Sequence, residues 1–266
     1  MSETKKKNFI NLDKLKSKSV EFKKSTPFNH FVVDDFLNLK LAYEIENEFL
    51  DFNSSKWYCY QNKIEDKKAL NDWNSFPPQT YLLFRYLISN NFVDFLSELT
   101  GIKLYPDPGL HGGGWHIHGK GGNLNPHLDY SIHPKLGLQR KINIIIYISQ
   151  DFKEEYGGHL GFWNHDLFHN QPSDLVKEIS PLFNRAVIFD TTQNSWHGMS
   201  KPLKQPEGIY RKSLAIYYLC EPSKDAVSRQ RALFAPRENQ KNNKEIEELI
   251  KLRADVNKSH LVYKKE

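Results

Sequence analysis

The amino-acid sequence predicts a mainly β fold with flanking helices, in which antiparallel strands form a sandwich or barrel. Three observations lead to this prediction. Apolar residues recur at helical spacing in the first hundred residues, Pro and Gly become frequent from Gly101 onward, and short β-type runs then follow one another without intervening helices. Strands at such spacing favour antiparallel pairing, because a parallel sheet needs a crossover helix between its strands.

The N-terminal part is predicted to contain one strand and two helical segments. Residues 27–37 alternate apolar and polar side chains as a short strand does, and Asp35 is placed to cap the helix that follows. The apolar positions of that helix are Leu37, Leu41, Ile45 and Phe49. Residues 81–99 repeat this periodicity, so both segments are expected to bury one apolar face in the core.

Four β-type runs are predicted to build the sheets of the second half, and turn-rich connections separate them. They are residues 142–149, 159–163, 186–190 and 213–219. The flanks are polar. We therefore predict a mobile N-terminal arm over residues 1–25, a single domain over residues 26–236, and a polar helical tail over residues 237–266.

Length and composition are those expected of a soluble globular protein. The chain has 266 residues, 39% hydrophobic and 26% charged, and is long enough to bury a core without disulfides or structural zinc. Cys59 and Cys220 form no CxxC motif, and they fit a reducing, cytoplasmic compartment. No secretory signal or membrane span is expected, because the lysines near the start precede no apolar region and the longest apolar run is short.

The basic balance of the chain does not indicate a nucleic-acid partner. The net charge is +5, and many of the lysines lie near the two ends of the sequence. A nucleic-acid-binding face would interleave basic and aromatic residues on a folded surface, so we expect solvated ends and neither a nucleic-acid nor a membrane partner. The alternative, a regulator that docks nucleic acid through these ends, predicts an affinity that falls steeply with salt.

A candidate metal site stands within the β region. His127 and Asp129 are two residues apart, so in a strand their side chains point to the same face. His197 follows just after the third β-type run and supplies a second nitrogen ligand. Two histidines and one carboxylate leave coordination positions open, which is typical of non-haem Fe(II). Structural zinc would close four positions and would more often use cysteine.

A candidate carboxylate-binding pair opens the fourth β-type run. Arg211 and Ser213 are again two residues apart and on one face. Arginine binds a carboxylate with two parallel hydrogen bonds, and a serine hydroxyl adds a further donor. An iron with open positions beside such an arginine suits 2-oxoglutarate, whose keto-acid end would chelate the metal and whose distal carboxylate would meet Arg211. One position would remain for O2.

At these residues the sequence resembles the Fe(II)- and 2-oxoglutarate-dependent dioxygenases, specifically their prolyl-4-hydroxylase-like branch. The resemblance covers roughly residues 27–220 and rests on the order and spacing of the HxD pair, the distal histidine and the Arg-x-Ser pair. It implies a double-stranded β-helix, or jelly roll, of the cupin type. It also implies that Tyr147 helps to hold the distal carboxylate of 2-oxoglutarate, with Asn143 on the same face as a further candidate.

The activity implied by this resemblance is hydroxylation of an aliphatic carbon. Fe(II), 2-oxoglutarate and O2 would yield succinate, CO2 and the hydroxylated substrate, which could be a small molecule, an amino acid or a peptidyl residue. The branch as a whole does not fix the substrate. The oligomeric state is also left open. The alternative function is a non-catalytic jelly-roll module that binds a small acid or sugar, although such a module would need neither the three metal ligands nor Arg211.

Several further residues are candidates for contact with the substrate. The resemblance places one group of them on the segment before the HxD pair, at the pocket mouth, and two arginines follow the last strand, where a lid could form. The candidates are Trp115, His116, His118, Arg140, Arg229 and Arg231. Each has a structural alternative, which is a plain structural role for Trp115, His116 and His118, a carboxylate partner or solvent for Arg140, and a solvated basic loop for Arg229 and Arg231.

Overall fold

Two antiparallel sheets form the centre of the protein, as the computed structural model shows for residues 9–191, 194–224 and 226–263. The strands are β1 (His30–Val33), β2 (Tyr58–Gln61), β3 (Glu65–Leu70), β4 (Tyr105–Pro106), β5 (Gly114–His118), β6 (Asn123–Leu124), β7 (His127–Leu128), β8 (Gln139–Tyr147), β9 (Leu160–Asp166), β10 (Gln171–Ile179), β11 (Ala186–Asp190), β12 (His197–Met199), β13 (Arg211–Cys220) and β14 (Leu233–Phe234). The nine-stranded sheet has the order β1-β11-β8-β13-β5-β3-β2, with β4 beside β13 and β6 beside β3. The five-stranded sheet has the order β10-β9-β12-β7-β14. This arrangement confirms the mainly β fold and the double-stranded β-helix.

Six α-helices accompany the sheets in the residues that the structure describes. They are α1 (Leu12–Lys16), α2 (Ser19–Lys24), α3 (Leu39–Glu48), α4 (Pro78–Leu87), α5 (Asn90–Thr100) and α6 (Lys244–Ala254). The first five pack on the outer face of the larger sheet, where their apolar side chains share one core with alternate residues of β8 and β13. Since neighbouring residues of a strand point to opposite faces, the other residues of β8 and β13 face inward, between the two sheets.

The predicted elements agree with the structure except in detail. Each of the four β-type runs overlaps a strand, and β11 has the predicted bounds. The helical pattern of residues 81–99 is split, because the Ser89 side chain caps α5 by accepting a hydrogen bond from the Phe92 backbone. The cap of α3 is Asn38, whose side chain accepts from Lys40, whereas Asp35 has a positive φ of 52°. The prediction of Asp35 as the cap was therefore wrong.

The hairpin of β2 and β3 was not predicted, because the first hundred residues were expected to be largely helical. Its two strands pair from Tyr58 opposite Ala69 to Gln61 opposite Asp66, and β3 also pairs with β5. Most of its residues are polar, so neither strand shows the alternation that identifies a half-buried strand. The hairpin extends the larger sheet and forms one wall of its inner side.

The N-terminal segment differs from the predicted mobile arm. Ile10, Leu15 and Phe22 are buried in the same core as α3 to α5, because their apolar side chains find partners on the outer face of the larger sheet. Residues 9–25 are thus packed, and residues 1–8 lie outside the described residues. In the expected polar tail, α6 packs Ile246 against Ile64 and Phe234. The boundaries of the predicted domain stay a prediction.

Among the residues described, no helix has the length and apolar character needed to cross a membrane.

Candidate active site

A cavity of about 350 Å³ lies between the inner faces of the two sheets. β3, β5, β8 and β13 of the larger sheet form one wall, and β7 and β12 of the smaller sheet form the opposite wall. The segment that includes Arg231 lies at the edge of the cavity. Because the strand period is two, the cavity receives every second side chain of these strands, including both members of the HxD pair and of the Arg-x-Ser pair.

His127, Asp129 and His197 meet in this cavity. β7 pairs with β12 so that His127 stands directly opposite His197, and Asp129 follows the end of β7. Asp129 Oδ1 lies 3.9 Å from His127 Nε2, and Asp129 Oδ2 lies 3.8 Å from His197 Nε2. One ligand atom from each of the three residues lies within 4.8 Å of the others, so together they could hold one metal ion.

The hydrogen bonds of the two histidines leave the correct nitrogen free for a metal. Nδ1 of His127 lies 3.0 Å from the Asn125 carbonyl oxygen, and Nδ1 of His197 lies 2.8 Å from the Ser195 carbonyl oxygen. A carbonyl oxygen only accepts, so each Nδ1 carries the proton and each Nε2 keeps its lone pair towards the cavity. Asp129 Oδ2 is buried and has no hydrogen-bond partner among the described residues. These donors fit Fe(II).

The protonation states also suit metal binding. Burial, followed by the neighbouring His197, lowers the pKa of His127 to about 3, and burial lowers the pKa of His197 as well. Both imidazoles are therefore neutral near pH 7. Burial alone would raise the pKa of the Asp129 carboxyl, but the Arg140 guanidinium and the two histidines outweigh it and lower this pKa to about 2. The site thus presents two neutral nitrogen donors and one carboxylate.

Arg140 supports the Asp129 carboxylate. Its Nη1 lies 3.2 Å from Asp129 Oδ1, and its Nη2 donates to the His111 carbonyl oxygen at 2.6 Å. The guanidinium lies between the rings of Tyr130 and Tyr217, at 3.6 Å and 3.4 Å from their centroids. Such stacking fixes the plane of the guanidinium, so that the N–H groups along its edge remain available to the Asp129 carboxylate.

Arg229 reaches the same aspartate from the segment after β13. Its Nε donates to the Asp129 backbone oxygen at 2.7 Å. Arg140 and Arg229, which the sequence offered as substrate contacts, are thus both bound to Asp129 in the structure. Each guanidinium satisfies a buried group of Asp129: Arg140 compensates the charge of the carboxylate, and Arg229 donates a hydrogen bond to the backbone carbonyl oxygen.

Arg211 occupies the other end of the cavity with a guanidinium that no carboxylate pairs. Arg211 is buried, its Nη2 donates to the Tyr147 hydroxyl at 3.3 Å, and its Nε has no partner among the described residues. Ser213 lines the same cavity, as does Asn143, whose buried Oδ1 is also unpartnered within the described chain. Burial lowers the pKa of Arg211, and Tyr147 offsets this effect only in part. This arrangement fits the carboxylate of a bound acid.

Comparison with known protein families agrees with this geometry. The family described as the 2OG-Fe(II) oxygenase superfamily matches residues 113–219, which contain His127, Asp129, His197 and Arg211. This part of the chain, about two fifths of its length, is similar to the 2OG-Fe(II) oxygenase superfamily. The match and the three metal-binding side chains both support the predicted family and its Fe(II) and 2-oxoglutarate cofactors, with O2 as cosubstrate.

Two curated proteins that are similar to this chain are named prolyl 3-hydroxylase OGFOD1. The protein from Mus musculus is 25% identical over 181 residues, which are 67% of this chain and 31% of that protein. The protein from Xenopus laevis is 24% identical over 196 residues, which are 73% of this chain and 35% of that protein. The chain therefore spans well under half the length of these relatives.

Solved structures show the same fold at low sequence identity. A prolyl hydroxylase from Trichoplax adhaerens, in complex with a peptide of the hypoxia inducible factor, has a TM-score of 0.55 at 16% identity and aligns with 78% of this chain and 91% of its own. A prolyl-4-hydroxylase from Pseudomonas putida has a TM-score of 0.56 at 13% identity and aligns with 78% of this chain and 100% of its own.

Of the remaining substrate candidates, three face the cavity of the oxygenase and one does not. His116, His118 and Arg231 line the cavity. Trp115 is fully buried on the opposite face of β5, where it stacks on Phe49 at 4.5 Å. Residues 115 and 116 are neighbours in a strand, so their side chains point to opposite faces and only one of the two can enter the cavity. The prediction of Trp115 as a substrate contact was therefore wrong, and its alternative, a plain structural role, is what the structure shows.

Sequence reasoning missed the cavity residues that the β2–β3 hairpin contributes. Tyr60, Glu65 and Lys67 line the cavity from this hairpin. The signal that could have identified them is the spacing of Glu65, Lys67 and Ala69, which are two residues apart. Polar residues at the intervening positions obscured this period.

Proposed function

We propose that the protein hydroxylates an aliphatic carbon of a peptidyl residue, an amino acid or a small molecule, using Fe(II) and 2-oxoglutarate. In this proposal His127, Asp129 and His197 hold the iron, and Arg211 binds the distal carboxylate of 2-oxoglutarate with help from Tyr147, Ser213 and Asn143. One observation carries it: three metal-binding groups and a buried arginine that pairs with no carboxylate of the described residues face the same cavity.

Bound Fe(II), with 2-oxoglutarate and O2, would supply the oxidising power that converts a C–H bond to C–OH while 2-oxoglutarate loses CO2 and becomes succinate. The protein has the tasks of binding, orientation and exclusion of water. Nδ1–H bonds fix the rings of His127 and His197, and Arg140 fixes the carboxylate of Asp129. Ile145 and Leu160 line the cavity and make part of its wall apolar, which limits access of water to the reacting groups.

A prolyl residue is the first substrate to test. The two OGFOD1 relatives are named prolyl 3-hydroxylases, which supports a peptidyl substrate.

We also propose a cytoplasmic location, supported by the two free thiols of Cys59 and Cys220. Cell fractionation with an epitope-tagged chain tests the location, and recovery in a secreted or membrane fraction would contradict it.

Release of succinate tests the proposed function. The purified chain with Fe(II), 2-oxoglutarate and O2 is expected to release succinate slowly even without substrate, as measured by NMR or coupled assay. His127→Ala and Asp129→Ala should abolish this release, because each removes one of three ligands. His169→Ala is the matched control, since His169 is largely exposed and bonds only to Asp166 and its own turn. Undiminished release in either ligand variant would refute the assignment of the triad.

The same proteins separate the oxygenase from the two alternatives. A non-catalytic binding module predicts no measurable affinity for Fe(II) or Mn(II), which calorimetry would reveal. A nucleic-acid regulator predicts binding of DNA or RNA that weakens steeply with salt. We expect metal binding that depends on His127 and Asp129, and no such nucleic-acid binding.

A further inference from the structure

The cavity wall carries more positive than negative charge. Five cationic side chains and two carboxylates line it among the described residues. The cations are Lys67, Arg140, Arg211, Arg231 and Arg253, and the carboxylates are Glu65 and Asp129. Both carboxylates are already compensated: Arg140 pairs with Asp129 at 3.2 Å, and Arg253 Nε pairs with Glu65 Oε1 at 2.6 Å. Within the described part of the chain, Lys67, Arg211 and Arg231 have no carboxylate partner.

Lys67 is the unpaired cation that the fold holds inside the cavity. It lies on β3 between the inward-facing Glu65 and Ala69, and its ammonium lies 5.1 Å from the centroid of the Tyr60 ring. It forms no hydrogen bond or ion pair with any residue in the described ranges. Burial lowers the pKa of Lys67, and the nearby Glu65, committed to Arg253, offsets this only in part. Lys67 is half-buried, and a charge that loses part of its water is normally compensated by an opposite charge, which no carboxylate of the described residues provides by pairing with this ammonium.

Lys67 stands apart from the cosubstrate end of the cavity. In the larger sheet β5 lies between β13 and β3, with Arg211 opposite His118 and Lys68 opposite Ile117. Lys67 is thus next to His118, and two strand spacings of about 4.8 Å each place its backbone roughly 10 Å from that of Arg211. Burial lowers the pKa of the intervening His118 well below its usual value, so this histidine is neutral. This separation gives the two cations room to bind different ligand groups.

The cofactors of the proposed function do not neutralise this excess charge. Fe(II) brings as much positive charge as the 2-oxoglutarate dianion brings negative charge, so binding both leaves the balance of the cavity unchanged. We propose that Lys67, assisted by Arg231 at the edge of the cavity, binds a carboxylate of the substrate. The proposal rests on the proposed function, because it assigns Arg211 and the metal ligands to the cosubstrate.

A carboxylate is the anion that matches the space. The cavity of about 350 Å³ must also hold 2-oxoglutarate, so room remains for one small acid or for one acidic side chain of a peptide. Lysine binds such a group as a compact point charge with rotatable donors. The neighbouring ring of Tyr60 provides an apolar surface for the carbon atoms beside the carboxylate.

Binding of acetate tests this inference without turnover. The full chain is loaded with Zn(II) and N-oxalylglycine, an inert analogue of 2-oxoglutarate, and acetate or the neutral acetamide is added while backbone and lysine side-chain NMR signals are recorded. Acetate, and not acetamide, is expected to shift the Lys67 signals with saturation. Lys67→Gln should weaken acetate binding about tenfold or more, the loss typical of one charge-assisted hydrogen bond.

Two variants control for charge and folding. Lys67→Arg keeps the positive charge and should retain acetate binding. Lys68→Gln removes the same charge from the opposite face of β3, where Lys68 Nζ donates to the Phe52 carbonyl oxygen, and should leave acetate binding unchanged. Equal responses to acetate and acetamide, or unchanged acetate binding in Lys67→Gln, would overturn the proposal.

Two further comparisons complete the design. Free L-proline and a blocked glutamyl-proline dipeptide, each against its amide analogue, show whether the carboxylate comes from a small acid or from a peptide. Failure to load Zn(II) and N-oxalylglycine would contradict the proposed function. Acetate is also added to the unloaded chain, so the response of Lys67 is read independently of that loading.

Discussion

Asp129 depends on a residue that is not a metal ligand. Arg140 contacts its carboxylate at 3.2 Å, lowers its pKa against the effect of burial, and is itself held between two tyrosine rings. Removing one partner of a buried charge pair leaves the other charge uncompensated. We therefore regard Arg140 as a positioning residue for the carboxylate that the metal needs.

Replacing Arg140 by methionine tests this role. Arg140→Met is expected to weaken binding of Mn(II) about 10- to 100-fold, as is typical when a group that orients a metal ligand is lost. Electron paramagnetic resonance titration measures the affinity, and thermal unfolding confirms that the variant is folded. Arg85→Met, a change at an exposed arginine of α4, is the matched control. A folded Arg140→Met with normal Mn(II) affinity would rule out the positioning role.

Single residues were predictable where their own chemistry identifies them. His127, Asp129, His197 and Arg211 were found because their types and spacing suit a metal and a carboxylate, and the structure brings all four to one cavity. For Arg140 a carboxylate partner was only the alternative to substrate contact, and Asp129 was not identified as that partner, because the distance between them is defined only by the folded chain. Lys67 was missed for the same reason, since a lysine in a polar run has no distinguishing feature until its surroundings are known.

At the scale of elements, the two-residue period of strands explains both the successes and one failure of the sequence analysis. The HxD and Arg-x-Ser patterns were expected to place both of their side chains on one face, and in the structure both pairs line the cavity, as the two-residue period requires. The same rule separates Trp115 from His116, yet both were proposed to face the substrate. Strands whose inward residues are polar, such as β3, carry no visible alternation and were predictable only from their partners in the sheet.

The junction of β1 and β11 provides a prediction at this scale. Asp34 follows β1, Arg185 precedes β11, and their side chains form a two-pronged pair with Nε–Oδ1 at 2.6 Å and Nη2–Oδ2 at 3.0 Å. The hydrogen bond from Arg185 lowers the pKa of Asp34 in the folded protein. A carboxyl with a lowered folded-state pKa contributes stability above its unfolded pKa, and this contribution is lost as the pH falls through the folded value.

Asp34→Asn is therefore expected to lower the free energy of unfolding at pH 7 by about 0.5–1 kcal/mol, the range for a partly exposed pair of good geometry. The difference from the parent protein should shrink once the pH falls below the usual aspartate pKa of about 4. Urea denaturation at a series of pH values measures it. Asp13→Asn, at an exposed aspartate of α1, is the control. A difference that stays constant from pH 7 to pH 3 would contradict the electrostatic explanation.

At the scale of the whole molecule, segments distant in sequence complete the fold around the cavity. The N-terminal residues from Phe9 onward cover the outer face of the larger sheet, and α6 covers the β2–β3 hairpin through Glu65. Both segments were expected to lie outside the domain because their composition is polar. Their packing depends on a few apolar or charged side chains, such as Phe22 and Arg253. The partners of these side chains lie far away in the sequence, so the contacts could not be predicted from the segments alone.

Glu65 and Arg253 are far apart in the sequence and form a buried ion pair at one wall of the cavity. Glu65 is almost fully buried, and its Oε1 accepts from Arg253 Nε at 2.6 Å and from the Tyr263 hydroxyl at 2.6 Å. Arg253→Met would leave this carboxylate buried without its cation. We expect it to lower the free energy of unfolding by about 3 kcal/mol or more, the usual cost of breaking a buried pair by removing one partner.

A double-mutant cycle separates this charge effect from a simple loss of packing. Glu65→Gln removes the buried charge, so adding Arg253→Met to Glu65→Gln should cost clearly less than Arg253→Met in the parent protein. Denaturation by urea measures all four proteins, and Lys251→Met, at an exposed lysine of α6, is the control. Equal costs of Arg253→Met in both backgrounds would mean that α6 is held to the domain by packing, for example of Ile246, and not by the buried pair.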